Sequence, residues 1–191
     1  MPHKERTLTK ANIDSLLREY AASVEEVGAS IQGIKGRALL ESLKREKVKV
    51  GPYPDVTLFE AANRIMTDLV IYNGVKWLLE NEVFPFDSYN VEFGNEDNNG
   101  FDLRATSDSA SLIGEAFNVA PSFFQGKKAS MLKKLRKDGV TADYRLIMVN
   151  HDAVADEYSP IVAPGEYYVF VNVSTASAVV APNNSLHARR P

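Results

Sequence analysis

With 191 residues, 45% hydrophobic and 25% charged, the chain has the length and composition of one soluble domain with a substantial core. It has no cysteine, which excludes disulfides, thiol catalysis and Cys-ligated zinc or iron–sulfur sites. The net charge of −3 excludes little, because an acidic protein can still carry a local basic cleft.

Only three histidines occur, His3, His151 and His187, so any bound metal is expected to be held by oxygen ligands. The start MPHKERTLTK lacks the apolar run of a signal peptide, and no stretch is long and apolar enough to cross a bilayer. A cytoplasmic location without membrane contact is the expectation.

From Thr9 to about Ile31, Ile13, Leu16, Leu17, Tyr20, Val24, Val27 and Ile31 recur at helical spacing and predict an amphipathic helix. Gly33 and Gly36 break it, and a shorter helix follows from about Arg37 to Lys47. The basic run Lys44–Lys49 is either a solvated helix end or a phosphate contact. After the turn Gly51-Pro52-Tyr53-Pro54, Thr57-Leu58-Phe59-Glu60 has capping-box form and opens a helix to about Asn81. That helix is apolar over most of its circumference, so it is either central in the fold or half in a subunit interface. Glu60 is either its capping residue or a further acid for a metal site.

Tyr89–Phe93 alternates and predicts a first strand, followed by the turn-rich run 94–100. Within that run, Glu96 and Asp97 lack the spacing of a calcium loop and read as a solvated turn. Phe101–Thr106 and Ser111–Val119 then read as two strands joined by Ser107-Asp108-Ser109-Ala110, a hairpin signal. If Thr106 faces Ser111, the register carries Asp102 opposite Glu115, on one face of the sheet. Like charges so placed repel, so something cationic is expected between them, a divalent metal above all. Alternatively, Asp102 serves the turn and Glu115 pairs with Arg104 or a distant lysine.

Pro121-Ser122 opens a helix from about Ser122 to Lys137. Its apolar face carries Phe124, Met131, Leu132 and Leu135, with Lys128 in the middle. Lys128 either snorkels to water or is aimed at the carboxylates on the neighbouring strand. Tyr144–Val149 is a strongly apolar strand suited to the middle of a two-faced sheet. A short helix within His151–Tyr158, strands at Glu166–Val173 and Ser177–Ala181, and a mobile tail 182–191 complete the reading. The arrangement is therefore α/β, of α+β type with a mixed sheet.

The order helix, three strands, helix, strand, with acids on the second and third strands, resembles the core of the PD-(D/E)xK nuclease superfamily, the fold of most type II restriction endonucleases. The residues that carry it are Phe101-Asp102, Leu112-Ile113-Gly114-Glu115-Ala116-Phe117, the helix QGKKASMLKKLRK and the strand YRLIMVN. The resemblance spans roughly 57–150 as a nuclease-like core of a central mixed sheet flanked by helices. Residues 1–50 would be a helical extension and 151–181 appended strands. Gly100-Phe101 stands where the family has Pro, and Phe117 stands where it has the motif lysine, two residues after Glu115.

The resemblance implies Mg²⁺, with Mn²⁺ as substitute, held by Asp102, Glu115 and the main chain near Ala116. It implies hydrolysis of double-stranded DNA by a homodimer. Lys128 would stand in for the missing lysine, unless a bulge turned Asn118 to that face, and Lys127, Lys133, Lys134 and Lys137 would neutralise flanking phosphates. The other readings are a catalytically impaired fold that binds nucleic acid or protein, favoured by Phe117, and a globular domain whose acids are merely salt-bridged. The base-reading elements are sought in 94–100 and 151–165.

Overall fold

A computed structural model describes residues 5–94 and 100–182. Glu96, Asp97, His3, His187 and tail positions 183–191 lie outside the described residues. The described chain runs β1 (Thr7–Thr9), α1 (Ile13–Ile31), α2 (Gly36–Arg45), α3 (Leu58–Glu80), β2 (Ser88–Val91), β3 (Leu103–Thr106), β4 (Ser111–Phe117), α4 (Pro121–Leu135), β5 (Tyr144–Asn150), a 3-10 turn at His151–Ala153, β6 (Glu166–Asn172) and β7 (Ser177–Ala181). The class is α+β, with a mixed sheet curled into a half-barrel.

The seven strands lie in chain order. Neighbours are antiparallel from β1 to β4, parallel across β4–β5–β6, and antiparallel again at β7. The parallel step from β4 to β5 needs a crossover, and α4 supplies it. The helix expected from Thr9 starts instead at Ile13, after strand β1 and a turn at Lys10–Asn12. Three residues are too few for a periodic signal, and Asn12 makes the corner by accepting from the Thr9 N–H (2.9 Å) and donating to the Thr7 carbonyl (2.8 Å).

Two apolar layers flank the sheet. One packs α3, backed by α1 and α2, against Leu103, Leu112, Ala116, Leu146, Met148 and Val169. The other packs α4 and the chain around Tyr158 against Ile113, Phe117, Ile147, Val149 and Phe170. Period-2 alternation sorts these residues, so Glu115, between Ile113 and Phe117, belongs to the α4 face.

Helix α3 is capped by Thr57, whose Oγ1 accepts from the Glu60 N–H at 3.3 Å. Its apolar circumference is explained within the chain, with Phe59 and Met66 left at the surface. Gly74 lets it lie close on β5, since a Cβ there would come within 2.3 Å of the Met148 sulfur. Asp68, on the same helix, is fully buried and accepts from the Tyr20 hydroxyl (2.7 Å), the Tyr53 hydroxyl and the Gly94 N–H (3.1 Å).

The C-terminal end of α4 is fastened to the sheet. Arg136 makes a bidentate pair with buried Glu166 on β6, at 2.5 and 2.7 Å. Arg145 on β5 donates to the carbonyls of Leu135 (3.1 Å) and Val140 (3.2 Å).

Candidate active site

Strand pairing joins Thr106 to Ser111 and continues Ala105–Leu112, Arg104–Ile113, Leu103–Gly114, and Asp102 lies one residue before β3, where its charge acts on Glu115. The register expected from the four-residue loop is the register observed. Asp102 Oδ2 accepts from the Ala116 N–H at 2.8 Å, which fixes its carboxylate against β4. Both acids line a cleft of about 810 Å³ walled by the sheet, by α4 and by Asn63, Thr67 and Ile71 of α3. A second hollow, about 730 Å³, lies at the opposite end of the strands around Phe84, Tyr144 and Tyr167, and no candidate residue lines it.

The cation beside the pair is Lys134, whose Nζ stands 2.7 Å from Glu115 Oε1. Lys128 does not fill that role. Its ammonium meets the Tyr158 hydroxyl at 3.2 Å and lies over the Phe124 and Tyr158 rings. The physical reason is that α4 packs against two surfaces, the sheet and the chain around Tyr158. The middle of its apolar arc therefore points between them, and the cleft face runs through Phe123, Lys127, Ser130 and Lys134. Lys127 and Lys134 line the cleft, whereas Lys133 and Lys137 are exposed and do not.

Phe117, in the position of the expected lysine, is buried in the α4-side core with its ring 6.4 Å from that of Phe124. Asn118, released where β4 ends, lines the cleft without a bulge within β4. Glu60 is paired with Arg64 in the first turn of α3 and lies outside the cleft lining. Glu92 is the acid that sequence reasoning missed. Buried just past β2, its N–H donates to the Asp102 carbonyl at 2.9 Å, and its side chain lines the cleft. The alternation of Tyr89, Val91 and Phe93 toward α3 carried that signal, because it turns Asn90 and Glu92 to the other face.

Burial raises the Asp102 carboxyl above its usual range, partly offset by the Ala116 N–H and by Lys134 and Lys127. Glu115, only 2% exposed, is pushed up to about 7 by burial first and by the Asp102 charge second, with Lys134 working against both. Its Oε1 is held by the Lys134 ammonium at 2.7 Å. A repelling carboxylate pair is a donor set suited to a hard divalent cation. Among the described residues no third His, Cys, Asp or Glu completes a metal-holding group. Mg²⁺ fits that count, since it is commonly bound by one or two carboxylates with water and phosphate oxygens in the remaining positions.

A pH dependence follows for the metal-free protein. The folded-state pKa of Glu115 lies above its ordinary 4.5, so the stability contributed by the neutral form is complete below about 4.5 and is lost as pH rises through about 7. Thermal unfolding scans are expected to show the midpoint falling between pH 5 and pH 8, and Glu115→Gln should flatten that slope. A midpoint rising over this range in the native protein but not in the variant would contradict the burial argument.

Compared with known protein families, with curated proteins and with solved structures, the chain matches none.

Proposed function

We propose that this chain is a metal-dependent DNA endonuclease of the restriction type, hydrolysing phosphodiester bonds in the cleft between the sheet and α4. The observation that carries the reading is the Asp102–Glu115 pair, brought to one cleft from the residue before β3 and from β4, with Lys134 against it. The order α3, β2–β3–β4, α4, β5 supports it as the element order of the nuclease core it resembles.

Asp102 and Glu115 would hold Mg²⁺ or Mn²⁺. Bound there, the metal supplies Lewis acidity toward the phosphate and lowers the pKa of a coordinated water. Lys134 orients the attacking water and offsets the negative charge that grows on the phosphate as the P–O bond to the leaving oxygen breaks. Lys127, on the same face of α4, neutralises a neighbouring phosphate. One cleft serves one strand, so a cut through double-stranded DNA takes a homodimer.

A second reading, a silent member of the fold that binds nucleic acid or protein, is favoured by Phe117. Its ring occupies the core where the family lysine would stand. Incubation of mixed-sequence DNA with Mg²⁺ or Mn²⁺ separates the two. Discrete fragments support the nuclease, and salt-sensitive binding without cleavage under any divalent metal supports the silent binder. In a cleaving protein, Lys134→Ala is expected to slow the cut by about a hundredfold, whereas Lys128→Ala should change it only a few-fold. Equal losses in both variants would remove Lys134 from its role.

A further inference from the structure

We infer that the basic segment Lys44–Lys49 is a second anchoring surface for double-stranded DNA, meeting phosphates beyond the α3 wall of the cleft. The inference deepens the nuclease reading and rests on it for the identity of the partner as a DNA duplex.

The cleft by itself is a poor match for a polyanion. Glu92, Asp102 and Glu115 line it against Lys127 and Lys134, and Lys134 is already held by Glu115. A duplex carries one negative charge per about 1.7 Å of its axis, and cations that meet its phosphates supply much of its affinity. Further cations therefore have to stand outside the cleft. In a chain of net charge −3, positions 35–49 hold six Lys or Arg and two Glu. Pairing sharpens the contrast. Glu41 is taken by Arg37 (2.8 Å), Asp55 by Lys49 (2.8 Å) and Glu60 by Arg64 (2.5 Å). Lys44, Arg45 and Lys47 are exposed and make no ion pair among the described residues, although Lys47 feels the charge of Asp55 at longer range. Glu46 is the one unpaired acid between them.

Two contacts tie this segment to the cleft. Lys47 is bridged to Thr57, the cap of α3, and the Val48 N–H donates to the Val56 carbonyl (2.9 Å) while the Asp55 N–H donates to the Val48 carbonyl (2.8 Å). The Lys44 ammonium lies 3.7 Å from the centroid of the Phe59 ring, in the first turn of α3. Phe59, Asn63, Thr67 and Ile71 follow one another along α3 at steps of four, and the last three line the cleft. Phe59 thus continues that wall about 6 Å past Asn63, and Lys44 sits on its outer end. The ring orients the ammonium without neutralising it, so its charge stays available to a phosphate. From Ile71 to Phe59 the wall runs about 18 Å, the length of about five base pairs, so a duplex engaged at the carboxylates extends to this segment.

The test is titration of a fluorescent mixed-sequence duplex of about 30 base pairs, with metal chelated, over a salt series starting at about 50 mM. The proteins compared are the native chain, Lys44→Ala, Lys44→Ala combined with Lys47→Ala, Lys44→Arg and Lys10→Ala. Lys10, paired with Glu82 at the hollow on the far end of the strands, controls for the loss of a charge anywhere. Both tested lysines are exposed, so their removal leaves the fold intact. The slope of log affinity against log salt should shrink by about 0.9 for each of the two lysines removed, with affinity at the lowest salt falling about tenfold each time. Lys44→Arg should keep the native slope, and Lys10→Ala should leave it unchanged. A native slope in the double variant, or an equal change in Lys10→Ala, overturns the inference. If that happens while metal-dependent cleavage still vanishes in Asp102→Asn, the nuclease reading stands without it. A slope that shrinks as expected, with no cleavage under any divalent metal, upholds the anchoring surface and rejects the nuclease.

Discussion

Asp102→Asn is expected to slow metal-dependent DNA cleavage by about a thousandfold or more, on the scale of losing a principal electrostatic group in a reaction centre, while the protein stays folded. The carboxamide oxygen can still accept the Ala116 N–H that the carboxylate accepts at 2.8 Å, so the hydrogen bond survives and the charge does not. Removing one of two repelling carboxylates also relieves Glu115, whose ionisation Asp102 opposes. Binding to DNA should therefore survive or tighten as cleavage disappears. Cleavage rates on plasmid DNA, with circular dichroism to confirm folding, make the measurement. Cutting at the native rate would refute the assignment of Asp102.

Asp68→Ala has the largest expected effect on folding, a loss of about 3–5 kcal/mol. Asp68 is fully buried and accepts from separate parts of the chain, among them Tyr20 on α1, Tyr53 in the linker before α3, and the Gly94 N–H beyond β2. Truncation removes the acceptor that these donors share and adds a cavity. In a chain of this length, such a loss should lower the thermal midpoint by about 10 °C or more. Urea denaturation of Asp68→Ala beside Tyr20→Phe measures it. The tyrosine variant removes one donor and keeps the others paired, so it should cost less. Equal costs would mean that the hydroxyl of Tyr20 carries the network. Gly94 also lines the cleft, which ties this core network to one wall of the site.

The sequence was most legible where short-range chemistry decides geometry. A four-residue polar loop between two alternating runs set the β3–β4 register, and with it the meeting of Asp102 and Glu115. Thr57 and Glu60 marked the start of α3 in the same way. Lys134 was obscured because a helical projection gives angles without saying which of two surfaces lies at each angle. Lys128 sits midway along the apolar arc, but that arc is divided between the sheet and the chain around Tyr158. Glu92 escaped notice because an acid in an alternating strand reads as solvent-facing, and only the tertiary structure shows that its side is buried. The resemblance to the nuclease core rests on element order and two acids, and no comparison adds to it.

The fastening of α4 has a mechanical consequence. Arg136 clamps one end of the helix to Glu166 on β6, and Arg145 grips the carbonyls of Leu135 and Val140. The opposite end is held as well: just before Pro121, buried Asn150 accepts from the Val119 N–H (2.8 Å) and donates to the Val119 carbonyl (3.0 Å), and Phe124 is buried against Phe117 and Tyr158. The helix is thus a beam fixed at both ends. The wall of the cleft that carries Lys127 and Lys134 is thereby set in place before any ligand arrives.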